Sequence, residues 1–222
     1  MTGPGRWAVV CDFDGTATTE DVGDQVAVHF AGEAHYLAEE DRYREGAFVF
    51  SELLRRIFRP ITATREEIAA FARERAVLRH GFERFLLGCR EAGWPVVICS
   101  AGLDVYIEPV LARLPPPLRD GLTVRANAAR CSSAGLDVRF HGGGELDCGR
   151  CGFCKGKVVR QLQAAGHRVA VVGDGTADRC AAEAADAVFA RRGLSRWCAE
   201  RGIPFCPFES FDEVVLPPPA AR

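Results

Sequence analysis

Three short apolar runs, each ending at polar residues, constrain the fold of this chain most. Uninterrupted apolar runs of this length indicate strands that are buried on both faces of a parallel sheet. Helical patterns precede the second and third runs and end at Gly93 and Gly166, and glycine commonly terminates a helix. This alternation predicts an α/β fold with parallel strands. The three runs are residues 7–11, 95–99 and 168–172.

Two segments depart from this alternation. Between residues 21 and 78, apolar residues recur at spacings of three and four, which predicts amphipathic helices. Between residues 121 and 144, two alternating segments flank a Ser-Ser-Ala-Gly turn and predict a β-hairpin. We therefore expect a catalytic core of residues 1–20 and 80–222. A helical cap of residues 21–79 would follow the first strand, and residues 121–144 would form a hairpin flap within the core.

The composition excludes several classes of protein. Of the 222 residues, 48% are apolar and the net charge is −2, which argues against disorder. Acids and bases are mixed along the chain, so we expect neither a nucleic acid nor a membrane as a partner. No apolar run approaches the roughly 20 residues of a membrane helix, and the first run is too short for a signal peptide. We expect a cytoplasmic protein, and the sequence does not indicate its oligomeric state.

Four groups of polar residues lie at strand ends or helix starts, where ligands bind in an open α/β sheet. Each group alone has an ordinary structural explanation. A serine can cap a helix, acids favour a helix N-terminus, and most lysines are solvated. The groups are Asp12-Phe13-Asp14-Gly15-Thr16, then Ser100 with Ala101 and Gly102, then Lys155, and finally Asp174 with Asp178.

The order of acid pair, hydroxyl, lysine and second acid pair resembles the haloacid dehalogenase superfamily of phosphatases, over nearly the whole chain. The resemblance implies a Rossmann-like parallel sheet and a hydrolase that acts on a small phosphorylated metabolite. It implies that Asp12 is a nucleophile that forms an aspartyl-phosphate. Asp14 would protonate the leaving oxygen and later take a proton from water.

The resemblance also implies a magnesium ion, because a phosphate dianion repels a carboxylate nucleophile. Mg²⁺ prefers oxygen ligands. Asp12, the backbone carbonyl of Asp14 and Asp174 would supply them, with Asp178 as a direct ligand or as a residue that orients the ligands.

The remaining polar residues would hold the phosphate. Ser100 and Lys155 would bind its oxygens. Lys157 competes for this role, but the register of a lysine, a small residue and a helix favours Lys155. Backbone N–H groups would add donors at helix starts, around Gly15, Thr16, Ala101 and Gly102.

The position of the helical insertion resembles the small cap of phosphoserine phosphatases and their relatives. Within that group, the segments that begin at Cys11, Ser100 and Cys151 resemble the phosphatases of methionine salvage. Ala17 and Ala101 depart from that pattern, which leaves the substrate open. Arg56 and Asp21 are candidate substrate contacts by position, and both can also be solvated cap residues.

Three alternatives stay open at this point. The substrate can instead be phosphoserine or a phosphate ester of a specialised pathway. The chain can be a catalytically idle relative used for binding or regulation, although it keeps every motif residue. A phosphotransferase or mutase would use the same aspartyl-phosphate.

Four of the ten cysteines form a candidate zinc site. Cys148, Cys151 and Cys154 are separated by two residues each, which is a common zinc-ligand spacing. Cys131, or His141, would complete a tetrahedron. The alternative is that these cysteines are reduced and that the glycine-rich turn simply positions Lys155. The predicted cofactors are therefore Mg²⁺ and, on the first interpretation, a structural Zn²⁺.

Overall fold

The computed structural model describes residues 6–140, 151 and 153–216. Seven strands form one sheet in the order β4-β3-β2-β1-β5-β6-β7. All neighbouring strands are parallel except β3 and β4, which are antiparallel. The strands are β1 (Trp7–Cys11), β2 (Val96–Leu103), β3 (Leu122–Arg130), β4 (Asp137–Arg139), β5 (Arg168–Gly173), β6 (Ala187–Ala190) and β7 (Cys206–Pro207). The predicted α/β fold with parallel strands is confirmed.

Helices connect the strands and cover the sheet. Four helices lie between β1 and β2 where a helical insertion is expected, before the helix that leads into β2. The helices of the described residues are α1 (Val22–Ala31), α2 (Glu33–Arg44), α3 (Phe50–Phe58), α4 (Arg65–Arg75), α5 (Phe82–Glu91), α6 (Asp104–Leu111), α7 (Pro116–Arg119), α8 (Lys155–Ala164), α9 (Arg179–Ala182) and α10 (Arg192–Arg201). None of them is both long and apolar enough to cross a membrane.

β1 lies at the centre of the sheet because both of its faces are apolar. Trp7, Val9 and Cys11 pack into one hydrophobic cluster, and Ala8 and Val10 pack into another on the opposite face. This division follows from the period of two along a strand. Burial on both faces fixes the carboxyl end of β1, where the chain leaves the sheet.

The segment predicted as a hairpin differs from the prediction in its first half. Residues 122–125 of β3 pair in parallel with β2, and only residues 128–130 pair with β4 in an antiparallel ladder. β3 is long enough to extend the main sheet first and to form a hairpin later, and it covers an edge of β2 that would otherwise be unpaired. Residues 141–144 of the predicted flap lie outside the described residues.

The sequence patterns missed β6, which has only four residues. It pairs with β5 over its whole length. A run this short does not stand out from buried helical residues, so only its pairing with β5 identifies it as a strand.

Candidate active site

The turn that follows β1 places Asp12 against the next strand of the sheet. The Asp12 N–H donates to the Val172 carbonyl of β5 at 2.9 Å. Gly15 has φ +69°, and a Cβ atom there would lie 2.5 Å from the Asp174 carboxylate. A glycine is required because the turn adopts the left-handed region and passes against this side chain.

Three carboxylates, one that follows β1 and two that follow β5, lie together at the carboxyl edge of the sheet. Asp12, Asp174 and Asp178 can each offer an oxygen so that all three oxygens lie within 4.8 Å of one another. Asp178 accepts the N–H groups of Asp174 and Gly175, each at 3.1 Å. Burial and the charge of Asp178 raise the pKa of Asp174 to about 6. The cluster therefore carries more negative charge than its surroundings compensate, and its oxygen donors fit a hard divalent cation such as Mg²⁺.

Lys155, the first residue of α8, inserts its ammonium group between two of these carboxylates. Its Nζ donates to Asp12 Oδ1 at 2.5 Å and to Asp178 Oδ1 at 2.6 Å. The side chain is 1% exposed. Burial alone would lower its pKa, but the charges of Asp12 and Asp178 raise it well above the usual value, so Lys155 is a cation. Lys155 lines the cavity described below and Lys157 does not.

Asp14 turns its side chain towards the cap. Its Oδ1 accepts the N–H groups of Val22 at 3.0 Å and Gly23 at 3.2 Å, at the start of α1. Its Oδ2 accepts the hydroxyls of Tyr106 at 3.0 Å and Ser100 at 3.3 Å. Burial and the charges of Asp21 and Asp12 raise the pKa of Asp14 well above its usual value. Asp14 therefore holds a proton more readily than an exposed aspartate does.

Tyr106 is a site residue that the sequence analysis missed. It is 1% exposed and belongs to α6, which begins directly after β2. A Cβ atom at Gly23 would lie 2.6 Å from the Tyr106 hydroxyl, and one at Gly102 would overlap it. The two glycines thus make room for the tyrosine beside Asp14. A signal was present, since Tyr106 follows the motif residue Gly102 by four positions, but the direction of its side chain depends on the packing of α6.

Ser100 lies within β2, and hydrogen bonds hold the end of this strand in place. The Gly102 N–H donates to Ser100 Oγ at 2.9 Å. The Asn127 side chain on β3 donates to the Ala101 carbonyl at 2.7 Å, and Asn127 is also fully buried. Asn127 is a second residue that the sequence analysis missed.

A cavity of about 270 Å³ lies between this edge of the sheet and the cap helices. One wall carries Asp21, Asp24 and Glu40 in addition to the residues already described. The other wall is apolar and comes largely from α3. The apolar residues of that wall are Phe50, Leu53, Leu54, Ile57 and Phe58.

The structure does not bring Arg56 to the cavity. Its Nε donates to Glu52 Oε1 at 2.9 Å, and its Nη1 lies 3.6 Å from Glu39 Oε2. Its guanidinium also lies over the Phe48 ring, 4.7 Å from the centroid. α3 turns its leucines and isoleucine towards the cavity, and Arg56 lies on a different side of the helix. Asp21 does line the cavity, and it also caps α1 by accepting the Asp24 N–H at 2.8 Å.

The remaining predicted phosphate contacts occupy different positions around the site. The Thr16 hydroxyl donates to Asp12 Oδ2 at 3.3 Å. Ala101 and Gly102 line the cavity, whereas Gly15 and Thr16 lie behind Asp12 and do not.

The structure does not support the predicted zinc site. Cys131 ends beside Arg65 and Asp104, because β3 carries it there. Cys154 Sγ lies 3.8 Å from Cys180 Sγ instead, and the Cys151 thiol also hydrogen-bonds to Cys180. Cys148 and His141 lie outside the described residues. Within the described ranges, the aspartate cluster is the one set of three metal-ligating groups whose ligand atoms lie within 4.8 Å of one another.

The fold and the site together define an α/β enzyme with four helices inserted after its first strand, and with a buried aspartate and lysine cluster at the carboxyl edge of its sheet. The chain belongs to the haloacid dehalogenase-like hydrolases, since the model of that family matches residues 9–183. This confirms the predicted family and the prediction that the chain is an enzyme.

The relatives of the chain include proteins named as phosphatases and a bifunctional enzyme. A 2-hydroxy-3-keto-5-methylthiopentenyl-1-phosphate phosphatase of Bacillus cereus is 33% identical over 93% of this chain and 93% of its own length. The bifunctional enzyme MtnB/MtnX of Bacillus licheniformis is 30% identical over 93% of this chain, which spans 48% of that longer protein.

The fold also resembles a solved phosphoserine phosphatase that carries an analogue of a phospho-aspartyl intermediate. The TM-score is 0.71, with coverage of 95% of this chain and 98% of that chain. The sequence identity is 19%, so this similarity supports the fold alone.

Proposed function

We propose that this hydrolase is a magnesium-dependent phosphomonoesterase that uses Asp12 as its nucleophile. The observation that carries the proposal is the Lys155 ammonium, which contacts both Asp12 and Asp178 within a cluster of three carboxylates. Asp12, Asp174 and Asp178 would hold Mg²⁺, which supplies the positive charge that a phosphate dianion needs beside a carboxylate.

The positions of the side chains support a reaction in two steps. An Asp12 oxygen attacks phosphorus in line and the ester oxygen leaves, which gives an aspartyl-phosphate. Asp14 gives its proton to the leaving oxygen. In the second step Asp14 takes a proton from a water molecule that attacks the aspartyl-phosphate, and inorganic phosphate is released. Ser100 and Lys155 donate hydrogen bonds to the phosphoryl oxygens, where negative charge concentrates.

The cap contributes by excluding water. The α1 N-terminus contacts Asp14 directly, and α3 closes the opposite wall. Partial enclosure by these helices would strengthen the charge interactions inside the cavity and limit the access of water to the aspartyl-phosphate.

For the substrate we propose a small phosphate ester without a carboxylate, and 2-hydroxy-3-keto-5-methylthiopentenyl-1-phosphate as the first compound to test. The names of several relatives suggest this compound. The apolar α3 wall suits a methylthio group. Of the described residues that line the cavity, Lys155 is the one lysine or arginine. The carboxylate of phosphoserine would therefore meet Asp21, Asp24 and Glu40 rather than a cation, which favours a leaving group that is not an acid.

The test is a phosphate-release assay against a panel of phosphorylated metabolites with Mg²⁺. Replacement of the nucleophile in Asp12→Asn should lower kcat by at least about 1,000-fold. Asp120→Asn is the matched control, since Asp120 is exposed and should keep full activity.

Each alternative has its own outcome in the same assay. Hydrolytic activity retained by pure Asp12→Asn protein would contradict the nucleophile. No hydrolysis of any ester by the wild-type protein would favour the idle relative. Phosphate transfer to an added alcohol, with little inorganic phosphate, would favour a phosphotransferase. Preference for phosphoserine over esters that lack a carboxylate would refute the substrate class.

A further inference from the structure

Two buried arginines hold the turn that follows Asp12, and neither lines the cavity. Arg79 is 7% exposed and Arg191 is 8% exposed. Arg79 lies just before α5, and Arg191 lies between β6 and α10, so the two approach the turn from distant parts of the chain. A buried charge is costly unless it is well hydrogen-bonded. The burial of these two charged side chains therefore requires hydrogen bonds that compensate for the lost water.

Arg79 binds the turn by its backbone carbonyl oxygens. Its Nε donates to the Thr16 carbonyl at 2.7 Å, and its Nη2 donates to the Gly15 carbonyl at 2.8 Å and the Thr18 carbonyl at 2.9 Å. The Arg79 N–H also donates to the Ala17 carbonyl at 2.8 Å. The planar guanidinium offers five N–H groups in fixed directions, so one side chain can set the orientation of several peptide units.

Arg191 binds the same turn from a second direction. Its Nη1 donates to the Gly15 carbonyl at 2.8 Å, and its Nη2 donates to Glu209 Oε2 at 2.7 Å. The Gly15 carbonyl therefore accepts from both arginines. Because a trans peptide is planar, with its carbonyl and N–H pointing in opposite directions, this fixes the Thr16 N–H on the other face of the turn. The Thr16 hydroxyl in turn contacts Asp12 Oδ2.

Arg192 connects this arrangement to the metal-ligand cluster. It has φ +46° and is the one residue other than glycine with positive φ among those described. Its Nη1 lies 3.6 Å from Asp174 Oδ2, and its Nη2 donates to the Thr19 carbonyl at 3.4 Å. Backbone strain of this kind is found at functional sites, where surrounding contacts maintain it.

We propose that Arg79 and Arg191 are positioning residues, which fix the peptide planes of residues 15–18 and thereby aim Asp12 and Asp14 at the phosphoryl group. The inference rests on the proposed function. A displacement of about 1 Å at a reacting group can cost about 100-fold in rate. A loss of orientation should therefore lower kcat and leave the binding of substrate largely intact.

The test replaces each arginine by lysine, which keeps the charge and removes the planar set of donors. Arg79→Lys and Arg191→Lys should each lower kcat by about 10- to 100-fold, with KM within about twofold of the wild type. Arg84→Lys is the matched control. Arg84 is an exposed arginine that pairs with Asp212 at 2.8 Å, and this variant should keep the wild-type kcat.

A rescue experiment separates positioning from a general effect on folding. In Arg191→Ala, methylguanidinium in the assay buffer should restore part of kcat, since it can replace the planar donors beside exposed Glu209. Methylammonium at the same concentration should not. Circular dichroism and the melting temperature of every variant establish that it is folded, and if Arg79→Lys does not fold, Arg191→Lys and the rescue decide the question.

Two outcomes would overturn the inference. One is a wild-type kcat in folded Arg191→Lys. The other is a rise in KM at unchanged kcat, because this would assign the arginines to substrate binding. Failure of the proposed function is distinguishable from both, since the wild-type protein itself would then release no phosphate.

Discussion

Asp24, on the acidic wall of the cavity, shows how burial changes the chemistry of a single residue. Burial and the charge of Asp21 raise its pKa to about 8, and the hydroxyl of Tyr36 is its hydrogen-bond partner. An aspartate in an unfolded chain has a pKa of about 3.9. The folded protein therefore binds this proton more tightly than the unfolded chain does, and ionisation of Asp24 at higher pH opposes folding.

The prediction at this scale concerns Asp24→Asn. Its melting temperature should equal that of the wild type near pH 3, where Asp24 is protonated in the folded state and largely so in the unfolded state. The variant should become progressively more stable than the wild type as the pH rises from about 4 to about 8, because the wild type alone loses stability in that window. Thermal melts at several pH values measure this difference.

Asp41→Asn is the control for that experiment. Asp41 is exposed and pairs with Arg44 at the surface. The melting temperature of the Asp41→Asn variant should therefore equal that of the wild type at all pH values. A difference between Asp24→Asn and the wild type that does not change with pH would contradict the raised pKa.

At the scale of elements, the contact between α8 and α9 determines where Lys155 lies. Gly156 is buried in the first turn of α8, and a Cβ atom there would overlap the Cys180 carbonyl of α9. α9 follows Asp178 directly. This close approach of two helices thus helps to hold Lys155 against Asp178, one of the two partners of its ammonium group.

Gly156→Ala should push α8 away from α9. We expect a loss of about 1–3 kcal/mol in the free energy of unfolding, since the added methyl group has no space. We also expect a fall in kcat, because Lys155 moves with its helix. Denaturant unfolding and steady-state kinetics measure the two effects.

Gly88→Ala is the matched control. Gly88 lies within α5, and a Cβ atom there meets nothing within 4 Å. Alanine favours a helix over glycine, so this variant should be as stable as the wild type or more so, with unchanged kcat. Equal stability of Gly156→Ala and Gly88→Ala would show that α8 and α9 can separate freely.

At the scale of the whole molecule, the cluster of Asp12, Asp174 and Asp178 would link metal binding to stability. Asp12 follows β1, and Asp174 and Asp178 follow β5, so the cluster exists only when the sheet is formed. A ligand that binds the folded state alone stabilises it by mass action, by about 1.4 kcal/mol at ten times its Kd. Mg²⁺ should therefore stabilise the protein as a whole.

We expect the melting temperature to rise with Mg²⁺ concentration and to fall again when EDTA is added. Asp174→Asn should lose this response, whereas Asp137→Asn, at an exposed position of β4, should keep it. Differential scanning calorimetry across a magnesium titration is the measurement. An equal response in Asp174→Asn would place the ion elsewhere.

The site residues that the sequence predicted best are those that lie at the carboxyl ends of β-strands. Asp12, Ser100 and Asp174 lie at the ends of apolar runs, and parallel strands bring their carboxyl ends to one edge. The structure places all three on the cavity, together with Lys155. Their roles in the reaction stay predictions until the variants are measured.

The parts that were not predicted depend on the direction in which a helix faces. Arg56 lies in α3 between residues that line the cavity, yet its side chain pairs with Glu52 and Glu39 and does not reach the cavity. Tyr106 has no motif of its own and reaches Asp14 because α6 packs against the turn. Rotating a helix about its axis by one residue would change which of its side chains face the cavity. The spacing of apolar residues does not define the rotation of a helix to within one residue.

The sequence by itself determined the parallel sheet, the insertion of helices after β1 and the identity of the charged residues at the sheet edge, since each follows from local patterns. The tertiary structure alone decided that Arg79 binds a turn 63 residues earlier and that Arg191 binds it from 176 residues later. It also decided that Cys180 rather than Cys131 lies beside Cys154. Contacts between residues so far apart in the chain arise from the packing of whole elements, and no local pattern encodes them.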